Sequence, residues 1–337
     1  MLRYVAIQNF GIYYGHQCLH LHTKDDFPAT IVSGLGGTGK TTIAQAIHWC
    51  LYGTQKACDI MNVAAREKLE IGKTDSVEVE LSIQHKGKIL TLKRIHKVIC
   101  RPEGLIEDDR RFYCNDLECA EQQYNDLVQI VLPHQLFSLH YWAPELLGRD
   151  RYYSREGLPL ELYRCLEESH ELYCNKKNVD HGQYSFTDHM SKIISIAQRF
   201  YAEQSGRYGD VKLLWGKGFR ISYTIDNLVF EGKLPEREYN SLHAAVIVAC
   251  HVFCVKNELM WGCLPIILDG AEKAFRYNPR EYLAYIKELA NSQVLILKHE
   301  SEYLPGKSLI NVSNVYTYVL ETDEGKTKAR ITYPKKQ

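Results

Sequence analysis

Hydrophobic and polar positions follow two different periods along this chain. In some short runs they alternate, as in Val-Glu-Val-Glu-Leu-Ser-Ile at residues 77–83, which is typical of strands with one buried face. Other runs, such as residues 264–268, are continuously apolar and typical of strands buried on both faces. These patterns predict strands at residues 2–8, 17–22, 29–33, 77–84, 89–97, 220–224, 228–230, 264–268, 294–297, 315–320 and 329–333.

In other segments, apolar residues recur every three or four positions, which predicts helices. The segment at residues 42–52 is an example, because its apolar side chains fall on one helical face. Helices are predicted at residues 42–52, 120–131, 158–174, 188–203, 236–259 and 279–290. Strands and helices are interspersed along the chain, so the sequence predicts an α/β fold.

Between the strand at residues 29–33 and the first helix, the chain reads Gly-Leu-Gly-Gly-Thr-Gly-Lys-Thr. This spacing is that of a P-loop, in which backbone N–H groups surround phosphate groups and a lysine adds positive charge. Lys40 is predicted to contact the β- and γ-phosphates of a nucleotide, and the Thr41 hydroxyl to hold Mg²⁺. The predicted nucleotide-binding residues are Gly34, Gly36, Gly37, Thr38, Gly39, Lys40, Thr41 and Thr42.

A carboxylate at the end of a second buried strand usually completes the metal site of a P-loop protein. Asp269 directly follows the apolar run at residues 264–268, so it is the predicted second Mg²⁺ ligand and Walker B residue. One predicted strand later, His299 follows residues 294–297 and has acidic neighbours. A histidine at that place becomes a candidate for the same site.

The composition restricts the partners and the compartment. The chain carries 41 Lys and Arg against 41 Asp and Glu, so no global charge excess indicates a nucleic-acid partner, although a local basic groove stays compatible with neutrality. Its 11 cysteines include no Cys-x-x-Cys pair, and neither a signal segment nor an apolar membrane span is visible. These features predict a cytoplasmic protein that contacts no membrane.

Cys18, His20 and His22 alternate along a predicted strand and therefore share one of its faces. Tetrahedral zinc needs a fourth ligand, and none lies nearby in the sequence. Ordinary surface or packing roles are the favoured interpretation of these three residues.

Two parts of the chain resemble the ATPase heads of the structural maintenance of chromosomes (SMC) type. The first is Leu-Arg-Tyr-Val-Ala-Ile-Gln-Asn-Phe-Gly-Ile-Tyr-Tyr-Gly, followed by the P-loop and by Ala-Ile-His-Trp-Cys-Leu-Tyr-Gly. The second is a strand pair, a long helix, Asp269 and then Val-Leu-Ile-Leu-Lys-His, which ends at His299. Within this family, the chain is most similar to the ATPase subunit of DNA-phosphorothioation (Dnd) systems, whose relatives include RecF-, SbcC- and RecN-type repair proteins.

The resemblance implies a P-loop NTPase fold of the ABC/SMC-head type, with a two-lobed mixed sheet, flanking helices and a small helical insertion. The N-terminal ATPase lobe with the P-loop would span residues 1–145, and the C-terminal lobe residues 216–337. Residues 146–215 would form a short helical insertion in place of a coiled-coil arm, because no sustained heptad pattern separates the lobes.

In that family two heads enclose two ATP molecules. The resemblance therefore implies ATP and Mg²⁺ as cofactors, a homodimer or higher oligomer formed through the heads, and companion defence or repair proteins and DNA as partners. It also implies that His299 senses the γ-phosphate and that Gln135, in Leu-Pro-His-Gln-Leu-Phe, belongs to the Q-loop.

Two departures from the family pattern concern catalysis. The signature Leu-Ser-Gly-Gly-Glu is replaced by Leu-Pro-Glu-Arg-Glu at residues 234–238, without the glycines and serine that would contact the partner's ATP. The residue after Asp269 is Gly270 instead of the usual glutamate, and Glu272 is the nearest substitute for orienting the attacking water. We therefore expect slow hydrolysis, with Lys40, Asp269, Glu272 and His299 as the catalytic residues.

The leading hypothesis is an SMC-like ATPase subunit that acts with partner proteins in DNA-directed anti-phage defence or DNA repair and uses slow hydrolysis as a switch. A second hypothesis is a scaffold subunit of a defence complex, which nucleotide stabilises without being hydrolysed. A third is a P-loop kinase of a small metabolite, for which Arg110-Arg111 and Arg149-Asp-Arg151 are candidate lids, although solvated loops explain both arginine segments more simply.

Overall fold

The computed structural model describes residues 1–21, 23, 29–134, 137, 140–143, 160–205, 209–216, 218–225, 228–231, 236–259, 264–270, 292–299, 316–323 and 328–332. The chain divides into two compact units. The first unit comprises Met1–His134, Cys263–Pro265 and Gln293–Gln337. The second unit comprises Gln135–Gly262 and Ile266–Ser292.

The elements are numbered in chain order. The strands are β1 (Leu2–Phe10), β2 (Tyr13–His20), β3 (Ala29–Gly34), β4 (Thr74–His85), β5 (Lys88–Arg101), β6 (Gly104–Cys114), β7 (Leu117–Cys119), β8 (Tyr141–Trp142), β9 (Gly209–Gly216), β10 (Gly218–Ile225), β11 (Leu228–Glu231), β12 (Ile266–Asp269), β13 (Val294–His299), β14 (Tyr316–Thr322) and β15 (Ala329–Thr332). The helices are α1 (Lys40–Tyr52), α2 (Ala57–Ile60), α3 (Val63–Lys68), α4 (Glu121–Val131), α5 (Leu160–Lys177), α6 (Phe186–Ser205) and α7 (Glu236–Lys256).

A mixed sheet forms the centre of the first unit. Its described strands lie in the order β7-β6-β5-β4-β1-β2-β15-β14-β3-β13. The part from β7 to β2 is antiparallel, whereas β3 pairs in parallel with both β13 and β14. All six residues of β3 are buried, which explains why its sequence is apolar and β-branched without alternation.

Helix α1 packs its apolar side against this sheet. Seven of its side chains are buried: Ile43, Ala44, Ala46, Ile47, Trp49, Cys50 and Leu51. The Trp49 ring meets the rings of Phe10 and His96 at centroid distances of 5.6 and 4.8 Å. The helix ends at Gly53, whose φ of 62° is left-handed and whose N–H donates to the Trp49 carbonyl at 2.8 Å.

A buried arginine holds the C-terminal end of α1. Arg94 on β5 donates to the carbonyl oxygens of Cys50 at 3.0 Å and Leu51 at 3.2 Å. Its guanidinium also lies over the rings of Trp49, Phe112 and Tyr124, at 5.8, 4.9 and 5.3 Å from their centroids. The positive charge is thus compensated by helix carbonyls and aromatic faces.

The second unit contains two groups of paired strands and a helical part. Strands β8 and β12 pair in parallel, and β9, β10 and β11 form an antiparallel sheet. Helices α5 and α6 both pack on α7, where the ring of Phe253 meets those of Tyr173 and His189 at 5.4 and 4.8 Å. None of the helices in the described part of the chain combines the length and apolarity needed to cross a membrane.

The predicted α/β fold is confirmed, and most predicted elements are present with shifted ends. Strands β6, β7, β8 and β9 and the short helices α2 and α3 were not predicted. Strand β6 contains Glu-Asp-Asp-Arg-Arg. A charged segment like this predicts a solvated loop, and it forms a strand here because the neighbouring β5 supplies its backbone hydrogen-bond partners. The helix predicted at residues 279–290 lies outside the described residues.

Replacing Arg94 by methionine tests whether the buried guanidinium stabilises the first unit. We expect Arg94→Met to lower the free energy of unfolding by about 2–4 kcal/mol, since two charge-assisted bonds and the ring contacts are lost. Lys93→Met on the same strand is the matched control, because Lys93 forms only partly exposed ion pairs with Glu78 and Glu80, each worth at most about 1 kcal/mol. Urea unfolding measures both, and equal losses would contradict the assigned role of Arg94.

Candidate functional site

The predicted P-loop lies between the end of β3 and the start of α1. Leu35, Gly36 and Gly37 are exposed, whereas Thr38 and Gly39 are buried. Gly37 and Gly39 have φ angles of 79° and 94°, in the left-handed region that glycine adopts most easily. Residues 35–37 of the loop are therefore open to solvent, whereas residues 38 and 39 pack against the rest of the protein.

The Lys40 side chain folds back over the loop. Its Nζ atom donates to the carbonyl oxygens of Gly34 at 2.8 Å and Leu35 at 2.7 Å. The hydroxyl of Thr38 donates to the same Leu35 carbonyl at 2.9 Å. The two Lys40 bonds hold the ammonium group against the loop backbone. Phosphate oxygens of a bound nucleotide could replace these two carbonyl oxygens as its partners.

The N-terminus of α1 favours an anion. Across this fully described helix, no side chain caps the N-terminus, and the first turn contains no acidic residue. The first-turn N–H groups and the helix dipole then present partial positive charge toward the loop. Thr41 lies exposed in that turn, and Thr42 beside it is half-buried.

Two glycines of the loop have no space for a side chain. A Cβ atom at Gly34 would lie 2.5 Å from the Thr38 hydroxyl oxygen and 3.2 Å from the Leu320 carbonyl oxygen. A Cβ atom at Gly39 would lie 2.6 Å from the Ile12 Cγ2 atom. The close approach of β1–β2 turn residues and β14 thus fixes the shape of the loop.

Tyr13 supports the loop and was not predicted from the sequence. Its hydroxyl donates to the Gly39 carbonyl at 3.0 Å from a fully buried position on β2. Burial raises the pKa of the Tyr13 hydroxyl above its ordinary value, so the group stays a donor at neutral pH. No sequence pattern marks this tyrosine, because the contact joins residues 26 positions apart.

His299 lies beside the P-loop. In the parallel pairing of β13 with β3, His299 is opposite Gly34. Its Nε2 atom is 3.6 Å from the position that a Cβ atom would take at Gly36, so the imidazole reaches the loop. His299 therefore lies next to the loop that leads into Lys40 and Thr41, and all three residues belong to the first unit.

Asp269 belongs to the second unit, where it ends β12 and is 5% exposed. The Tyr141 hydroxyl donates to its Oδ2 atom at 3.4 Å, and Tyr141 was not predicted as a site residue. The pairing of β8 with β12 places this tyrosine near the carboxylate. Gly270 follows with a φ of 66° and supplies no carboxylate of its own.

Several predicted site residues lie outside the described residues. These are Gln135, Glu272 and the first two positions of the degenerate signature, 234 and 235. The rest of that signature, residues 236–238, begins α7.

The described residues of the P-loop fit the phosphates of a nucleotide. Lys40, the glycine backbone and the uncapped start of α1 provide the donors that phosphates need. The Thr41 hydroxyl and the Asp269 carboxylate are oxygen ligands of the kind that Mg²⁺ prefers. Their assignment to the nucleotide and the metal stays a prediction.

Comparison with protein families gives one match. The AAA domain family AAA_23 matches residues 4–146, which include the P-loop. No curated protein sequence matches the chain at a significant level.

Comparison with solved structures covers nearly the whole chain. The SMC head domain from Thermotoga maritima superposes with a TM-score of 0.53 at 16% identity, covering 99% of each chain. The recombination mediator RecF, described as RecF-ATPrS in the RecFOR pathway, gives a TM-score of 0.50 at 9% identity, covering 98% of each chain. The predicted P-loop ATPase fold of the SMC-head type is thereby confirmed, whereas similarity to the Dnd ATPase stays a prediction.

Substitution of Gly39 tests the packing of the loop. We expect Gly39→Ala to weaken ATP binding by at least about tenfold, because the added methyl group meets Ile12 and displaces the loop. Gly15→Ala is the matched control, since Gly15 also has a positive φ, of 66°, but nothing lies within 4 Å of its Cβ position. Titration calorimetry measures both affinities, and equal effects would contradict the packing argument.

Proposed function

We propose that this chain, which has the fold of an SMC-type ABC ATPase head, binds ATP with Mg²⁺ and hydrolyses it slowly as a conformational switch. The observation that carries the proposal is the placement of His299 beside a P-loop in which Lys40, the glycine backbone and the uncapped start of α1 lie next to one another. A Gly-rich turn without a ligand would need no such convergence.

Each residue has a proposed task. Lys40 and the P-loop backbone hold the phosphates, and Thr41 with Asp269 holds Mg²⁺, which would neutralise charge on the phosphate oxygens. His299 contacts the γ-phosphate and so distinguishes ATP from ADP. Glu272 is proposed to orient water, and Gln135 to sense the nucleotide.

The proposed partners follow from the fold relatives. RecF is described as a recombination mediator, and the SMC protein is represented by its head domain. We extend this to a head that forms a homodimer or higher oligomer and works with companion repair or anti-phage defence proteins on DNA. The neutral net charge means that DNA contact would depend on a local surface or on those partners.

A second candidate is a nucleotide-stabilised scaffold that does not hydrolyse ATP. Gly270 favours it, because the position after Asp269 lacks the carboxylate that usually activates water. The two candidates share the binding site and differ only in turnover.

Lys40→Ala tests nucleotide binding. We expect ATP affinity to fall by about 10- to 100-fold, since a charge-assisted bond to phosphate contributes about 1.5–3 kcal/mol. Lys56→Ala is the control, because this exposed lysine precedes α2 outside the loop. Unchanged affinity of Lys40→Ala in calorimetry would overturn the proposal.

Asp269→Asn distinguishes the hydrolysing switch from the scaffold that does not hydrolyse ATP. We expect the wild type to show slow, Mg²⁺-dependent phosphate release, and the variant to lose at least about tenfold of that rate while it still binds ATP. Gel filtration with and without ATP follows assembly in the same samples. Assembly without any phosphate release would favour the scaffold, and turnover that survives Asp269→Asn would refute the metal role of Asp269.

A further inference from the structure

We propose that His170, Cys174 and His181 form a zinc site in the second unit. Among the described residues, these three side chains form a group whose ligand atoms all lie within 4.8 Å of one another. His170 and Cys174 are on α5, and His181 lies in the turn that leads to α6. None of the three belongs to the nucleotide site.

The helical pair already has the spacing of two ligands on one metal. Residues four apart share a helix face, and the Cys174 Sγ atom is 3.5 Å from the His170 Nε2 atom. Zinc binds thiolate sulfur at about 2.3 Å and imidazole nitrogen at about 2.0–2.1 Å in tetrahedral geometry, which separates the two ligand atoms by about 3.5 Å. The pair can therefore bind without moving the helix.

The turn after α5 brings in the third ligand. The Val179 N–H donates to the Cys174 carbonyl at 3.0 Å, and the Gly182 N–H donates to the Asp180 carboxylate at 3.0 Å. The His181 ring lies 5.3 Å from the His170 ring, measured between centroids. Because His181 is exposed and the other two ligands are buried, the site opens to solvent on one side.

The surrounding groups determine how the site is completed. His189 is close, but its two ring nitrogens already contact the Ser169 hydroxyl at 2.6 Å and the Tyr184 hydroxyl at 3.3 Å. The fourth position is therefore assigned to water. The Tyr184 carbonyl is 2.9 Å from the His170 Nε2 atom, and metal at that nitrogen replaces this hydrogen bond, so the carbonyl accepts from the bound water instead.

The ligand set selects the metal class. Thiolate and imidazole favour Zn²⁺, whereas Mg²⁺ prefers oxygen ligands, so the site is chemically distinct from that of ATP·Mg²⁺. Binding releases the Cys174 thiol proton to solvent. The bound metal would join the end of α5 to the turn before α6 through three protein ligands and one open position.

Cobalt titration tests the site spectroscopically. Full-length protein, freed of metal with a chelator and kept without nucleotide, is titrated with Co²⁺ and then with Zn²⁺. We expect one equivalent of Co²⁺ to give a thiolate charge-transfer band and the visible bands of tetrahedral Co²⁺. Zn²⁺ should remove these bands and excess Mg²⁺ should not. A wild-type spectrum without the charge-transfer band would overturn the proposal.

Two variants and one control test the ligands. We expect Cys174→Ser to remove the charge-transfer band and His181→Ala to weaken Co²⁺ binding at least about tenfold; His181 is exposed, so its removal should leave the fold intact. Cys18→Ser is the matched control, since Cys18 also lies 3.5 Å from a histidine, His20, but the described residues add no third ligand there. Retention of the band and affinity in both His181→Ala and Cys174→Ser, or their loss in Cys18→Ser, would refute the assignment.

Discussion

The parallel pairing of β3 with β13 and β14 is the interaction on which the candidate site depends. It buries β3 on both sides and aligns the carboxyl ends of the strands at one edge of the sheet. The P-loop leaves β3 at that edge, and the register places His299 beside it. A shift of one residue in this pairing would turn the imidazole to the opposite face of the sheet.

Helix α1 keeps the P-loop in place because contacts hold the helix at both of its ends. At its start, the Tyr13 hydroxyl and the lack of space around Gly39 hold the loop. At its end, Arg94 binds the last carbonyls and the helix closes at Gly53. The helix dipole therefore has a fixed direction toward the loop, which matters for a ligand that is recognised mainly by charge.

The second unit carries chemistry of two kinds. Asp269, the predicted oxygen ligand of Mg²⁺, lies at a strand end and accepts a hydrogen bond from Tyr141. The proposed zinc site combines sulfur and nitrogen ligands on α5 and the following turn. The helical region formed by α5 and α6 would then be stabilised by metal coordination as well as by its contacts with α7.

Local patterns in the sequence determined the P-loop, the strand before it and the helix after it, because glycine spacing and apolar periodicity act over a few residues. They also determined the α/β class, whereas the SMC-head fold was predicted from the resemblance of two segments to that family. Strand β6 was not predicted, because its charged residues form a strand only when β5 supplies backbone hydrogen-bond partners.

Contacts between distant residues were decided only by the tertiary structure. The Tyr13 bond to Gly39, the Tyr141 bond to Asp269 and the position of His299 at Gly36 each depend on strand register. In the sequence, Cys18 and His20 are recognisable as neighbours because they alternate along a strand. His181 comes close to His170 and Cys174 only when the turn after α5 folds back on that helix. Residue type and spacing state which chemistry is available, and the packing of the chain determines which of those groups meet.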